Sequence, residues 1–180
     1  MKKISVIFSV IVFLLLSCVV PVTTNPGIEF VPGQLMVGLR NTTSFIEFSD
    51  HIFSFEDLSV QSSSSIAFRA NQPQDSVAAI LERVHDKNYL FSNSSSVFYS
   101  QSDLEMKMIV TFDDATESQI EDFNDFCTSY GFTRDTLWSA FTDFFVLHVP
   151  IGNELGWKNI LSDDNFFLWV DVNAIGTRCE

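Results

Sequence analysis

One order of elements is written twice along this chain: strand, helix, strand, strand, helix, strand. The first round opens with a Pro-Gly turn and the short apolar strand Gly33-Gln34-Leu35-Met36-Val37-Gly38-Leu39-Arg40. Ser44-x-x-Glu47 then has the pattern of a capping box, and Phe45, Phe48, Ile52 and Phe55 follow at helical spacing. Residues 58–61, a serine run and a strand over 66–69 come next. Asn71-Gln72-Pro73 starts a second helix with Val77, Ile80, Leu81 and Val84 on one face, and a strand near 97–99 closes the round.

The second round begins at Glu105, with a strand over 106–112 and Thr116-x-x-Gln119 capping a helix that carries Ile120, Phe123, Cys127 and Tyr130. Residues 137–140 and 144–149 read as paired strands joined near Thr142-Asp143. The turn Pro150-Ile151-Gly152-Asn153 opens a helix with Leu155, Ile160 and Leu161, and 166–172 reads as the last strand. A gapless shift of 77 positions sets Ile80 on Trp157, Val84 on Leu161, Asp86 on Asp163 and Asn88 on Asn165. Tyr89, Leu90 and Phe91 then fall on Phe166, Phe167 and Leu168. A repeated βαββαβ unit predicts an α+β protein of two tandem ferredoxin-like modules, 32–101 and 105–176, each an antiparallel sheet with helices on one face.

Ahead of these modules, Met1-Lys2-Lys3 precedes an apolar run over 4–16, broken only by Ser5 and Ser9, and then Ser17-Cys18. That is the layout of a signal peptide over residues 1–17. Leu15-Leu16-Ser17-Cys18 resembles a bacterial lipobox, with Leu16 a less usual middle residue. The resemblance implies that Cys18 carries lipid, several acyl chains giving durable anchoring where one would not. An ordinary cleaved leader and an uncleaved anchor are the rival readings. All three put the folded part outside the cytoplasm, and the lipid-anchored reading places it in the cell envelope, with the outer membrane as the expected site. Residues 18–31, with Pro21 and Pro26, form a short extended tether.

Charge limits the partners. Ten Lys and Arg face 23 Asp and Glu, a formal net charge of −13, which loss of Lys2 and Lys3 with a leader deepens by two. Nucleic acid and anionic headgroups are poor partners for such a surface, and the acidity keeps a chain with 19 phenylalanines soluble. Beside Cys18, Cys127 and Cys179 are a candidate disulfide, while the helical face that includes Cys127 fits a buried free thiol equally well.

No catalytic set, metal site or cofactor motif is legible. His51, His85 and His148 stand alone on separate elements, the first two expected at the surface. Asp113, Asp114, Glu117, Glu121, Asp122 and Asp125 lack a glycine-containing calcium loop and read as a solvated face at a helix N-terminus. The serines of 62–65 and 94–96 read as loop, and none stands in a Gly-x-Ser-x-Gly setting. Asn41-Thr42-Thr43 and Asn93-Ser94-Ser95 are sequons with no meaning in a bacterial host. Trp138, Trp157 and Trp169 read first as buried residues and second as anchors of a recognition face.

The stretch Phe145-Val-Leu-His-Val-Pro-Ile-Gly-Asn-Glu154, with Asp164-Asn165 and a strand ending Val172-Asn173, resembles the close of a propeptide domain of subtilisin-type proteases. Val31-Pro-Gly-Gln-Leu-Met-Val-Gly-Leu39 resembles the opening of the same domain, and the whole chain resembles small lipoproteins of Bacteroidetes. The resemblance implies ferredoxin-like modules that bind another protein without catalysis. In its sharpest form it implies regulation of a protease, with the tail Gly176, Thr177 and Arg178 entering the protease cleft. The chain departs from the pattern at Ala70-Asn71-Gln72-Pro73, where the first round lacks a Val-Pro-x-Gly turn. A structural or adhesive surface lipoprotein that uses an exposed sheet face or edge is the alternative.

Overall fold

The computed structural model describes residues 30–138 and 143–174. Its elements run β1 (Phe30–Leu39), α1 (Phe45–Phe53), β2 (Ser59–Ser63), β3 (Ile66–Ala70), α2 (Val77–His85), β4 (Ser96–Ser100) and β5 (Glu105–Val110). They continue with β6 (Asp113–Ala115), α3 (Glu117–Tyr130), β7 (Thr133–Arg134), β8 (Phe144–His148), α4 (Glu154–Ser162) and β9 (Phe167–Ala174). Both capping boxes form: Ser44 with Glu47 starts α1, and Thr116 with Gln119 starts α3. Gly131, with φ of 69°, ends α3 in the left-handed conformation that glycine adopts without a Cβ clash.

The described residues form a mixed α+β protein with two antiparallel sheets and four α-helices. The strand orders are β6-β2-β8-β1-β9 and β4-β5-β3-β7. Each sheet therefore draws strands from both sides of the expected division between residues 101 and 105. A periodicity reading fixes which segments are strands. It cannot fix which strands pair, because pairing is decided by long-range packing. In the first sheet β1, β2, β8 and β9 stand in the order last, first, third, second along the chain; in the second sheet β3, β4, β5 and β7 stand in that same order.

The serine run is the crossing point between sheets rather than a plain loop. Ser63 Oγ accepts from Phe112 N–H, and Ser64 Oγ accepts from Phe144 N–H, so hydroxyls satisfy donors where the ladders break. One aromatic core joins the two sheets. Phe45 on α1 stands 5.5 Å from Phe68 of β3, 5.2 Å from Phe112, 5.6 Å from Phe123 of α3 and 6.1 Å from Phe145 of β8, ring centre to ring centre. Each fully buried ring contributes about 1.5–3 kcal/mol of transfer free energy, so neither sheet can lose this cluster cheaply.

Two further expectations change, and two short strands are added. Residues 136–138 form a turn rather than a strand, and the short β6 and β7 were not legible. On α4 the buried side chains are Glu154, Trp157 and Leu161, while Leu155 and Ile160 face solvent. Of the matches at a shift of 77, Ile80 with Trp157 and Val84 with Leu161 fall on buried positions, whereas Asp86 with Asp163, Asn88 with Asn165 and Phe91 with Leu168 are exposed.

Candidate recognition surface

Strand β5 alternates Met106, Met108 and Val110 toward the core with Lys107 and Ile109 on the outer face of the second sheet. The register sets Phe98, Lys107, Arg69 and Thr133 in one row across that face. Lys107 is buried although it is a lysine. Its Nζ lies 2.7 Å from Asp135 Oδ2, 3.3 Å from Glu105 Oε2 and 3.5 Å from Asp103 Oδ2. Burial opposes the charge on Lys107, but the bond to Asp135 and the flanking carboxylates outweigh it and hold the ammonium above its ordinary pKa.

Asp135 begins the connection from β7 to β8, and Asp143 ends it. Asp135 donates its N–H to Ala67 O, and its Oδ1 accepts from Leu137 N–H. Asp143 accepts at Oδ2 from Arg134 Nε at 2.6 Å, both side chains being 3% exposed, and its carbonyl accepts from Leu39 N–H. Arg134 Nη1 also donates to the carbonyls of Arg40 and Thr43. Burial raises the pKa of Asp143, partly offset by Arg134. Both feet of this connection are thus pinned by buried ion pairs to the second sheet, Asp135 to Lys107 of β5 and Asp143 to Arg134 of β7.

Between the feet, Leu137 is 84% exposed and Trp138 47% exposed. Trp138 leans on Phe98 with ring centres 5.6 Å apart. Arg69, Asp103, Glu105, Lys107, Asp135, Leu137 and Trp138 bound a groove of about 440 Å³. Of these residues, Trp138 and Arg69 are of the types enriched in binding hot spots, and Leu137 extends the exposed apolar surface beside them.

A second groove, of about 750 Å³, lies between the ends of α2 and α3. Asp122 Oδ2 there takes both Lys87 Nζ and Tyr89 Oη at 2.5 Å. Burial and the Asp122 bond raise the Tyr89 pKa, so the phenol keeps its proton, while Lys87 and Tyr89 hold Asp122 ionised. Asp122, Lys87 and Tyr89 thus satisfy one another within the groove.

The other sequence candidates fall in different places. Cys18, Cys179, Gly176, Thr177 and Arg178 lie outside the described residues. Cys127 is a buried thiol on α3 whose pKa burial raises. Asp113, Asp114, Glu117, Glu121 and Asp125 are exposed as expected. His85 is exposed too, but His51 is only partly exposed: it stacks on Phe166 at 4.4 Å, and its Nε2 lies 2.5 Å from Asp164 Oδ2. His148 stands 3.8 Å from Asp114. Among the described residues, no group of three or more His, Cys, Asp or Glu is arranged to hold a metal ion. Trp157 is buried, Trp169 is half-buried, and only Trp138 is well exposed.

Sequence reasoning missed Lys107, Asp135 and Arg69. The available signal was a lysine between two methionines in a core strand, a position that demands a buried counter-charge. Compared with protein-family models, with curated proteins and with solved structures, the chain matches none.

Proposed function

We propose that this chain is a non-catalytic, lipid-anchored protein of the cell envelope that binds another protein. The single observation that carries the recognition half is the pair Leu137 and Trp138, held out by a connection whose two ends sit in buried ion pairs. Exposing those side chains forgoes apolar burial, and fixing them by two buried charge pairs makes sense if another surface covers them. The anchor rests on the lipobox-like Leu15-Leu16-Ser17-Cys18.

The strand orders support two ferredoxin-like units that are nested rather than tandem. The outer unit is β1-α1-β2 with β8-α4-β9, and the inner unit is β3-α2-β4 with β5-α3-β7. Nesting also explains why the propeptide-like opening at 31–39 and the propeptide-like close at 145–173 stand so far apart: both belong to the outer unit. Regulation of a subtilisin-type protease by the tail at Gly176, Thr177 and Arg178 is the sharpest version of this reading.

The edge-pairing alternative is weakened at β9. Val172 N–H is taken by Asp171 Oδ1, which Lys158 also holds at 2.7 Å, and a blocked donor with charges alongside protects an edge from a further strand.

The test uses the full chain immobilised and challenged with envelope extract. Wild type should retain a protein that the Leu137→Ser/Trp138→Ala variant loses while keeping wild-type circular dichroism. Retention of the same proteins by both would end the recognition reading. Labelling with a fatty-acid analogue, in wild type and Cys18→Ala, checks the anchor separately, and added subtilisin-type protease that is not slowed removes the regulatory version.

A further inference from the structure

We infer that the groove beside Trp138 receives a basic side chain, lysine or arginine, from the protein partner. The inference rests on the recognition reading and names the chemistry of the guest. Three carboxylates converge there on the single buried ammonium of Lys107. An ammonium has three donors, whereas each ionised carboxylate offers about four lone-pair sites, so acceptors are in excess. Asp103 uses part of its capacity on Ser100 and Ser102, and Asp135 uses part on Leu137 N–H. Glu105 differs: among the described residues its only partner is Lys107, through Oε2, and its side chain is 33% exposed.

The indole of Trp138 supplies an apolar wall with a negative face, which favours a cation lying against it. Arg69 stands at the rim as the opposing charge, exposed and without an ion-pair partner among the described residues. The chain as a whole carries −13, so the long-range field also draws a basic partner and repels an acidic one. A groove of about 440 Å³ has room for one long side chain rather than for a folded element.

The experiment follows the Trp138 indole N–H signal of the full chain, assigned with Trp138→Phe, during titration with N-acetyl-arginine amide, N-acetyl-lysine amide and N-acetyl-glutamate amide. The arginine and lysine probes should shift the signal saturably, and the glutamate probe should not. Glu105→Gln should weaken the arginine probe by about two- to fivefold, the range of an exposed charge pair, and Arg69→Ala should strengthen it. An equal response to the glutamate probe, or weaker arginine binding in Arg69→Ala, would show that the carboxylates do not select the guest and overturn the inference. Silence to all three probes also overturns it, and if Leu137→Ser/Trp138→Ala still loses an envelope protein, the recognition reading survives alone. Saturable arginine binding with no protein retained from extract sinks the recognition reading, and the partner with it.

Discussion

Glu154 and Gly33 lie 121 residues apart and are joined by a buried hydrogen bond, Gly33 N–H donating to Glu154 Oε1 at 2.7 Å. The same oxygen accepts from Gly152 N–H at 3.0 Å, and Val149 N–H donates to Gly33 O at 2.9 Å. Gly33 and Gly152 have φ of 74° and 87°, conformations that favour glycine. One carboxylate thus clasps the irregular stretch of β1 at Gly33 to the turn that opens α4.

Glu154→Gln should destabilise the protein by about 1–3 kcal/mol, the cost of weakening hydrogen bonds to a buried charged acceptor. Burial alone would raise the Glu154 pKa, but the backbone donors, Gly33 foremost, outweigh it and hold the carboxyl below its ordinary value of 4.5. A depressed carboxyl pKa stabilises the fold above the ordinary carboxylate range, and that stabilisation is lost as pH falls through the lowered value. Urea titrations at neutral and acidic pH should therefore show a gap between wild type and variant that narrows on acidification. A gap independent of pH would refute this account of the clasp.

Lys107 and Asp135 should behave as a coupled pair. Lys107→Met leaves Asp135 buried without its cation and should cost about 3–5 kcal/mol, whereas Lys107→Met/Asp135→Leu should recover most of that loss. A double-mutant cycle by chemical denaturation measures the difference. Additive losses would mean that the two charges are independent, and the connection bearing Leu137 and Trp138 would then not be pinned through Asp135.

How far the sequence spoke can be judged from these same residues. Local chemistry was legible: Ser44 and Glu47, Thr116 and Gln119, and Gly152 beside Glu154 act within a few positions, where composition and spacing decide the outcome. The partnership of β1 with β8 and β9 was not legible, because an alternating apolar strand pairs equally well on paper with any other. The groove beside Trp138 shared that difficulty. Arg69, Glu105 and Asp135 come from three separate segments, and the only local hint was a lysine flanked by methionines. Sequons also misdirect, since Thr43 and Ser95 serve as donors to the carbonyls of Phe166 and Phe91.

Gly38 offers a sharper steric test. Trp169 lies directly over it, so a Cβ at position 38 would stand 2.3 Å from the indole. Gly38→Ala should force the ring aside and cost about 1–3 kcal/mol, the usual range for overpacking. Near-ultraviolet circular dichroism should register the displaced tryptophan, and Gly38→Ala/Trp169→Ala should regain stability relative to Gly38→Ala alone. An unchanged aromatic spectrum in Gly38→Ala would contradict the close approach.

The inner segment leaves and re-enters the first sheet at adjacent points, since Ser64 N–H donates to Phe144 O at 2.9 Å and β2 pairs directly with β8, which on backbone grounds alone makes it removable. The core argues otherwise. Phe45 of the outer set packs on Phe68, Phe112 and Phe123 of the inner segment, so excision of residues 65–142 would strip a fully shared aromatic cluster. The excised chain should fail to fold, and intact protein should unfold in one cooperative step despite having two sheets. Phe45→Ala, which opens a cavity at the joint, should lower stability by about 3–5 kcal/mol while leaving a single transition. Two separate transitions by calorimetry, or a folded excision product with dispersed amide resonances, would show that the sheets hold independent cores.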